Sequence, residues 1–322
     1  MSKSLDRRAV LAGLGTALAV PSWAQESWPT RPVKIVVPYP AGGGSDLAAR
    51  PWAERLGAAF GQSFVVDNRG GASGTIGTEA VARAPADGYT LLFTPNSAMS
   101  IVPQLRKVGY DPRKDFVPVA RVGDQVAGFV IRADTGIKTM AEMVAYAKQN
   151  PGKLAYGGGG YGTTTQLRLE MLKLRAGIDI LYVAYRGNVE AMQDVLAGTI
   201  QMTNDISTLP HVKAGTLRLL AVSHARRHPD FPDVPTLTEA GFPGMDVPLW
   251  QGLYAPAATP RAIVEKLNAK VRELASTEEM MRRMRAISVE VPLQTTEEMA
   301  KFLVEDYEAN GKVIREANIK LE

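Results

Sequence analysis

Short apolar strands alternate with amphipathic helices along this chain. Residues 33–37 form an apolar run typical of a strand, and the apolar side chains of residues 48–60 then recur at helical spacing. Pro51 lies inside that pattern, and we expect it to bend or delay the helix because proline removes a helical N–H donor. Residues 64–66 and 89–94 predict further strands, separated by a second helix.

A second series of elements repeats this alternation. Thr139 and Glu142 form a capping-box pattern at the start of a helix that stops before Pro151. Helices ending at Gly177 and Gly198 follow, and further strands are predicted over 153–156, 180–185, 199–203 and 217–222. Alternating strands and helices indicate an α/β fold whose mostly parallel sheets are flanked by helices, with ligands at the carboxyl ends of the strands.

The length of the chain indicates two domains. A mature chain of roughly 300 residues exceeds what a single core comfortably holds. Extended stretches over 117–131 and 249–255 are candidate crossovers between two lobes, and the C-terminal helices are expected to return to the first lobe. We therefore expect lobe 1 to comprise residues 25–125 plus 250–322, and lobe 2 to comprise residues 126–249.

Residues 1–24 have the three regions of a cleaved export signal in order. A basic start precedes an uncharged apolar run over 9–20, and Ser22-Trp23-Ala24 supplies a small–x–small cleavage site. The Arg7-Arg8 pair is compatible with the twin-arginine route and with the general secretory route. The apolar run is too short to span a membrane, and no later segment is long enough. We expect a periplasmic protein that does not span the membrane.

Composition removes several classes of chemistry. The chain contains no cysteine, which excludes disulfides, thiolate metal sites and cysteine nucleophiles. Its formal net charge is +4, of which the leader supplies +2 (three basic residues and Asp6), so about +2 is left for the mature chain. Because no long cluster of Lys and Arg occurs, binding to nucleic acid has little support.

Two glycine-rich turns each end a strand and open a helix. The first runs from Pro38 to Asp46 (PYPAGGGSD) and the second from Gly157 to Thr165 (GGGGYGTTT). The N–H groups at a helix start lack intrahelical acceptors and lie at the positive end of the helix dipole, and glycine lets an anion approach them closely. Two such turns in separate lobes would clamp the two ends of one small acid. The alternative is that the glycines only permit tight packing of strand on helix.

Cofactor and metal chemistry find little support. Gly157, Gly159 and Gly162 fit the dinucleotide pattern G-x-G-x-x-G, but no acidic residue ends the next strand to hold a ribose hydroxyl. No group of His, Asp and Glu has the spacing of metal ligands. We expect neither a cofactor nor a metal.

A catalytic role is not expected either. No G-x-S-x-G elbow occurs to supply a serine nucleophile. His211 is predicted to lie on a short helix, and His224 and His228 flank the turn Arg226-Arg227, so all three histidines are interpreted as surface residues. A periplasmic hydrolase acting on an ester or amide remains a disfavoured alternative.

Polar and aromatic residues near the strand ends complete the candidate site. Asp46 is expected to cap the first helix rather than touch a ligand. Asp205 can accept from a ligand amine or hydroxyl, or cap the helix that follows, and the sequence does not separate these roles. Trp52 is assigned to the core. Tyr39, Tyr161 and Trp250 are hypothesised to form a partly aromatic cleft that would suit an aromatic dicarboxylate.

An ordered set of motifs through nearly the whole mature chain resembles the Bug family, the periplasmic solute-binding receptors of tripartite tricarboxylate transporters. These motifs are Trp28-Pro29-x-Arg31-Pro32, Pro38-Tyr39-Pro40-Ala41-Gly42-Gly43-Gly44-x-Asp46, Ala49-Arg50, Val66-Asp67-Asn68-Arg69, Gly71-Ala72-x-Gly74, Ala86-Asp87-Gly88-Tyr89-Thr90-Leu91-Leu92, Ala184-Tyr185-Arg186-Gly187, Ala221-Val222-Ser223, Pro232-Asp233-Val234-Pro235-Thr236 and Ala255-Pro256-x-x-Thr259-Pro260. No single one is diagnostic, but the ordered set is specific.

The resemblance implies a two-lobed Venus-flytrap receptor that closes around a small carboxylate, holds it through backbone amides, hydroxyls and water, and delivers it to inner-membrane transporter subunits. We also expect the protein to be a monomer. A sensor component that signals to a membrane partner is the alternative function. The ligand-binding residues expected from the turns and strand ends are Tyr39, Ala41, Gly42, Gly43, Gly44, Ser45, Asn96, Ser97, Gly160, Tyr161, Gly162, Thr163, Thr164, Thr165, Tyr185, Arg186 and Asp205.

Four positions depart from the family pattern. Gln166 stands where histidine is frequent, Gln201 where aspartate is common, and Arg186 where lysine is frequent, while Pro51 interrupts the first helix. These departures make substrate specificity unsafe to transfer from other members.

Overall fold

Eleven strands are found among residues 28–246, 249–316 and 318–320, which are the residues that this computed structural model describes. The predicted export signal, residues 1–24, lies outside them. The strands are β1 (Val33–Val37), β2 (Phe64–Asn68), β3 (Thr90–Pro95), β4 (Phe116–Gln125), β5 (Gly128–Arg132), β6 (Ala155–Gly158), β7 (Leu181–Ala184), β8 (Met202–Thr203), β9 (Leu217–Val222), β10 (Leu249–Pro256) and β11 (Val289–Glu290).

Helices connect and cover these strands. They are α1 (Gly44–Phe60), α2 (Thr75–Ala82), α3 (Val102–Leu105), α4 (Met140–Gln149), α5 (Thr164–Ala176), α6 (Asn188–Ala197), α7 (Leu209–Lys213), α8 (Arg261–Ala275), α9 (Glu278–Ala286) and α10 (Thr296–Glu316). A π-helical segment, Ser97–Ile101, follows β3 directly. Helix α1 continues through Pro51 and is not delayed by it; the fixed φ of proline is compatible with a helix, although the N–H donor at this position is lost.

The strands form two sheets, each covered by helices. The six-stranded sheet has the order β11-β4-β10-β3-β1-β2, and the five-stranded sheet has the order β7-β6-β8-β5-β9. We call the six-stranded sheet with its helices the first lobe and the five-stranded sheet with its helices the second lobe. Helices α1, α8, α9 and α10 pack in the first lobe, and α5, α6 and α7 pack in the second.

Both sheets are mixed, and the pairing follows from the path of the chain. Strand β1 is parallel to β2 and β3, and β6 is parallel to β7 and β8, as β-α-β connections require. The chain leaves the first sheet at the end of β4, enters the second within two residues, and returns along β10. Because the outgoing and returning strands lie side by side, β4 and β10 are antiparallel. The expectation of parallel pairing therefore holds for the β-α-β half of each sheet.

The apolar core runs through both lobes. Its largest cluster joins Val33, Leu56 and Phe93 of the first lobe to Val130 and Val195 of the second. A separate cluster around Phe129 and Tyr156 fills the other face of the second sheet. Trp52 is buried, as predicted, and its Nε1 donates to the Val122 carbonyl oxygen at 2.8 Å.

A buried carboxylate ties the last helix to the strands near the lobe boundary. Asp306 of α10 accepts hydrogen bonds from Ser100 Oγ at 2.5 Å, from Trp250 Nε1 at 3.0 Å and from Asn310 Nδ2 at 3.0 Å. Burial raises the pKa of the Asp306 carboxyl above its ordinary value, and the three donors oppose that shift. Trp250 is therefore a core residue anchored to α10, which fixes β10 beside the π-helical segment.

Two of the three histidines are buried, so their interpretation as surface residues was wrong. The loop after β9 folds back onto the first lobe, where His228 Nε2 lies 2.8 Å from Ser288 Oγ and His228 Nδ1 accepts from the Asp230 N–H at 3.0 Å. His224 is also buried, with its Nδ1 3.3 Å from the Arg226 N–H. His211 lies on the short helix α7, as predicted.

The burial of His228 makes stability depend on pH. Burial lowers the pKa of the His228 imidazole below its ordinary value of 6.5, so the folded protein favours the neutral ring. The corresponding free energy of unfolding is fully present above pH 6.5 and is lost as the pH falls through the lowered pKa. Urea unfolding of wild type and His228→Gln at pH 7.5 and 5.5 checks this: the variant should show the smaller loss of stability on acidification.

The matched control for that measurement is His211→Gln. His211 is only partly buried on α7, so this variant should keep the wild-type dependence of stability on pH. An unchanged dependence in His228→Gln would contradict the assignment.

Candidate functional site

A cavity lies between the two lobes, where the carboxyl ends of strands from both sheets meet. Residues at or just after the ends of β1, β3 and β4 line it from the first lobe, and residues after β6, β7 and β8 line it from the second. The centre of a water molecule can reach about 30 Å³ of this cavity, which is room for roughly two waters. The lobes therefore lie close together around a narrow cavity in this structure.

The first glycine turn presents the start of α1 to this cavity. Gly43, Gly44 and Ser45 line it, and Gly43 begins the helix with no hydrogen bond from a capping side chain. Asp46 is the third helical residue rather than the N-cap; its Oδ2 accepts from the Gly42 N–H and from Arg50 Nε, both at 2.9 Å. It thus supports the turn from within the helix. Ala41 and Gly42 lie on the exposed side of the turn.

A second uncapped helix start reaches the cavity from the second lobe. Gly187 begins α6 without a capping side chain, and Asn188 and Val189 line the cavity beside it. The sequence analysis pointed instead to Tyr185 and Arg186. The Tyr185 hydroxyl donates to Asp194 Oδ2 at 2.6 Å, and Arg186 is exposed, so neither lines the cavity. In the sequence, this helix start is indicated by Gly187, the glycine that follows Tyr185 and Arg186.

The second glycine turn is largely satisfied by its own hydrogen bonds. The Gly160 carbonyl accepts from the Tyr182 hydroxyl at 2.6 Å, and the Gly162 N–H donates to Gln166 Oε1 at 2.6 Å. Gly160 has φ +110°, and a Cβ there would lie 2.6 Å from Ser73 Oγ of the first lobe, so glycine permits the close approach of the lobes. Thr163 Oγ1 accepts from the Gln166 N–H at 3.3 Å and caps α5.

Thr164 joins the lobes directly. Its Oγ1 donates to Asn96 Oδ1 at 2.6 Å and lies 3.1 Å from Ser97 Oγ, while its N–H donates to Ser97 Oγ at 3.0 Å. All three residues are buried. Asn96 and Thr164, both predicted as ligand contacts, therefore bond to each other in this closed state, whereas Ser97, Thr163 and Thr165 line the cavity.

The hypothesis of an aromatic cleft was wrong for two of its three residues. Trp250 is fully buried against Phe302 and turns away from the cavity. Side chains alternate along a strand, so the next residue of β10, Gln251, faces the cavity side instead and its Nε2 donates to Ser45 Oγ at 3.1 Å. Tyr161 packs on Tyr182, at 5.7 Å between ring centroids, beside a different surface cavity.

Tyr39 is the member of that trio which lines the cavity between the lobes. Its hydroxyl donates to the Ser73 carbonyl oxygen at 3.1 Å, and burial raises the pKa of the phenol above its ordinary value. Tyr39 therefore contributes a neutral wall.

Asp205 both caps a helical turn and lines the cavity. The sequence had left open whether Asp205 caps a helix, and the structure shows that it does. Its Oδ1 accepts from the Ser207 N–H at 2.9 Å, and its Oδ2 accepts from Asn188 Nδ2 at 2.7 Å. Gln125, at the end of β4, lies opposite and was missed by the sequence analysis; it is 2% exposed and its Oε1 has no hydrogen-bond partner. No motif in the sequence marks this position.

The lining of the cavity carries one carboxylate and no basic side chain. Among the described residues that line it, Asp205 is the acidic one, and none is Arg, Lys or His. The buried guanidinium of Arg168 is not part of this lining; its Nη1 lies 3.4 Å from Asn204 Oδ1, and burial lowers its pKa to about 10. Attraction of an anion into the cavity thus depends on helix starts and neutral donors rather than on an arginine pair.

Comparison with known proteins shows which protein family this chain belongs to. The model of the tripartite tricarboxylate transporter family receptor matches residues 48–319. The chain belongs to this family. Such a receptor serves a transporter, in agreement with the resemblance to the Bug family.

Three solved structures are similar over nearly their whole length. R. palustris Rpa4515 with adipate is 35% identical, with a TM-score of 0.88 over 91% of this chain and 99% of that one. The periplasmic binding protein BugD is 32% identical, with a TM-score of 0.86 over 92% and 100%. MatC (Rpa3494) from Rhodopseudomonas palustris with bound malate is 29% identical, with a TM-score of 0.84 over 89% and 99%.

These similarities confirm the two-lobed α/β receptor fold and place the chain among periplasmic solute-binding receptors. They also show that the family members and neighbours are receptors rather than enzymes. Within the described part of the chain, we find no helix with the length and apolar character needed to cross a membrane.

The contacts of Thr164 predict how substitution changes lobe closure. Thr164→Val keeps the shape of the side chain but removes its hydroxyl bonds to Asn96 and Ser97. At about 1 kcal/mol for each of the two bonds, the ratio of closed to open protein should fall roughly thirtyfold. Small-angle X-ray scattering of ligand-free protein should then give a larger radius of gyration for the variant.

Thr199→Val is the control for this experiment, because Thr199 is exposed and lies away from the lobe boundary. Equal radii of gyration for wild type and Thr164→Val would show that these contacts do not hold the lobes together.

Proposed function

We propose that this protein is an exported receptor that captures a small organic carboxylate between its lobes and delivers it to inner-membrane transporter subunits. The observation that carries the proposal is the convergence of two helix starts without capping side chains, α1 and α6, on one cavity from opposite lobes. Each supplies N–H donors and the positive end of a helix dipole, which together favour an anion.

The proposed ligand site is smaller than the set expected from sequence. Its members share a position on the cavity wall at a helix start or strand end: Tyr39, Gly43, Gly44, Ser45, Ser97, Gln125, Thr163, Thr165, Asn188 and Asp205. Closure of the lobes would remove water around the bound acid and strengthen its hydrogen bonds to these groups. Adipate and malate, found with two family neighbours, are the carboxylates with which to begin.

Export, lobe boundaries and assembly belong to the same proposal. Residues 1–24 would direct export to the periplasm by the twin-arginine or general secretory route and be removed there. Residues 25–125 plus 250–322 would form one lobe and 126–249 the other, acting as a monomer. The protein would bind without turnover, since no histidine lines the proposed site and the described hydrogen bonds of its serine and threonine hydroxyls go to groups other than the Asp205 carboxylate.

Thermal unfolding of ligand-stripped mature protein tests the function. Titration with adipate, malate and other small carboxylates should raise the melting temperature for at least one acid, whereas the corresponding neutral methyl esters should not raise it. Failure of every carboxylate to shift the transition, or an equal shift by the neutral esters, would contradict the proposal.

Substitution of Gly44 at the start of α1 tests whether the carboxylate binds in the cavity between the lobes. A Cβ added to Gly44 would lie 2.8 Å from Gln125 Nε2 and 2.9 Å from Asp205 Oδ2, both on confined side chains. Gly44→Ala should therefore weaken carboxylate binding by about 10- to 100-fold, measured by isothermal titration calorimetry.

Gly43→Ala is the comparison for Gly44→Ala. A Cβ on Gly43 would make only ordinary contacts, 3.6 Å from the Pro40 carbonyl oxygen and 3.7 Å from Val189 Cγ2. Its effect on affinity should be smaller. Equal affinities of wild type and Gly44→Ala would show that the ligand binds elsewhere.

A further inference from the structure

A second cavity lies beside the crossing from β4 to β5, and it shares no residue with the proposed ligand site. About 490 Å³ of it is open to the centre of a water molecule, against about 30 Å³ for the cavity between the strand ends. That volume lies in the range of roughly 300–1,000 Å³ that is usual for small-molecule sites. We call it the crossover cavity, because Val126 of the crossing lies on its wall.

Residues of both lobes form the crossover cavity. The loop after β9 in the second lobe contributes Arg226 and His228, and the first lobe contributes residues of α8, α9 and β11, among them Met284 and Val289. A molecule bound in this cavity would therefore contact both lobes.

Hydrogen bonds at Ser288 hold these parts together. Ser288 links α9 to β11 with a φ of +57°, a left-handed conformation that residues other than glycine rarely adopt. The Val126 N–H donates to the Ser288 carbonyl oxygen at 2.8 Å, and His228 Nε2 lies 2.8 Å from Ser288 Oγ. The crossing, the loop after β9 and the turn from α9 to β11 all bond to this one residue, so the walls of the cavity are joined without a ligand.

One part of the wall is apolar. Met281, Met284, Val289 and Leu293 line the crossover cavity, and Met281 and Leu293 are 49% and 52% exposed. Covering exposed side chains of this kind with an apolar group is favourable. Methionine is flexible and adapts to the shape of the group that it packs against. This part of the wall therefore suits a molecule with an apolar body.

The charged side chains of the lining leave one positive charge unmatched. Arg226 Nη2 pairs with Glu290 Oε2 at 2.6 Å, and Glu290 is the acidic residue of the lining. Arg285 also lines the cavity, and among the described residues no carboxylate forms an ion pair with it. His228 adds no charge at neutral pH, because burial lowers the pKa of its imidazole. An anionic group would complement the Arg285 guanidinium.

We propose that the crossover cavity binds an amphipathic monoanion, an acid whose charged group pairs with Arg285 and whose apolar chain packs on Met281, Met284 and Leu293. A neutral apolar molecule would leave Arg285 unmatched, and a short acid would leave the apolar wall uncovered. The site is a second one on the molecule, and its existence does not depend on the proposed function.

Medium-chain acids test the proposal, with octanoate as the main probe. In mature protein labelled with ¹³C at the methionine methyl groups, octanoate should shift the signals of Met281 and Met284, assigned with Met281→Leu and Met284→Leu. Affinity should rise by about threefold for each CH₂ group from butanoate to octanoate. Octanol, which has the same chain without the charge, should bind about threefold more weakly than octanoate.

Substitutions in the wall assign this binding to the crossover cavity. Leu293→Asp removes an apolar contact and adds a negative charge at an exposed position, so it should weaken octanoate binding at least about tenfold. Leu174→Asp is its control, because Leu174 is 61% exposed on α5 and lies outside the cavity. Arg285→Gln should weaken octanoate binding about threefold, whereas Arg282→Gln, exposed on the same helix but outside the lining, should match wild type.

Three results would overturn the proposal. Methyl signals of Met281 and Met284 that stay in place at millimolar octanoate would show that the cavity does not bind the acid. Equal affinity for octanol and octanoate would rule out the anion, and wild-type affinity in Leu293→Asp would place the binding elsewhere. Carboxylate binding at the starts of α1 and α6 would survive each of these results, so the two proposals fail separately.

Discussion

The N–H donors at the starts of α1 and α6 are the constraint on which this site depends. A helix start needs acceptors for its first amide groups, and neither helix has a capping side chain to provide one. Because the two helices approach the cavity from different lobes, one small anion can satisfy both only when the lobes are closed. In this account, the first N–H groups of α1 and α6 bind the ligand, and they can both do so only in the closed arrangement of the lobes.

The surrounding structure fixes these helix starts in place. Gln251 of β10 holds Ser45 at the start of α1, and the neighbouring Trp250 is anchored to Asp306 of α10. Asp306 also bonds to Ser100 of the π-helical segment, which carries Ser97 to its contact with Thr164 across the lobes. The C-terminal helix thus positions both the first helix start and the residues that close the lobes, although it contributes no residue to the described lining of the cavity.

Sequence reasoning predicted the fold well and the site in part. The spacing of apolar residues and the glycines at the ends of helices predict the β-α-β order. The first glycine turn does present the start of α1 to the cavity. Contacts that depend on tertiary packing were not predictable: Thr164 bonds to Asn96, the Tyr185 hydroxyl to Asp194, and Trp250 to Asp306. Strand alternation places Gln251 rather than Trp250 toward the cavity, and Gln125 has no local motif because its role comes from the closed arrangement of the lobes.

The most direct test of the central claim is the response of the backbone amides themselves. In ¹⁵N-labelled mature protein, titration with a carboxylate that binds should shift the amide proton signals of Gly44 and Ser45 in α1 and of Asn188 and Val189 in α6 downfield together, as N–H groups that gain an anionic acceptor do. Shifts confined to one lobe, or absent from both helix starts while the ligand binds, would contradict the account of a carboxylate held between two uncapped helices.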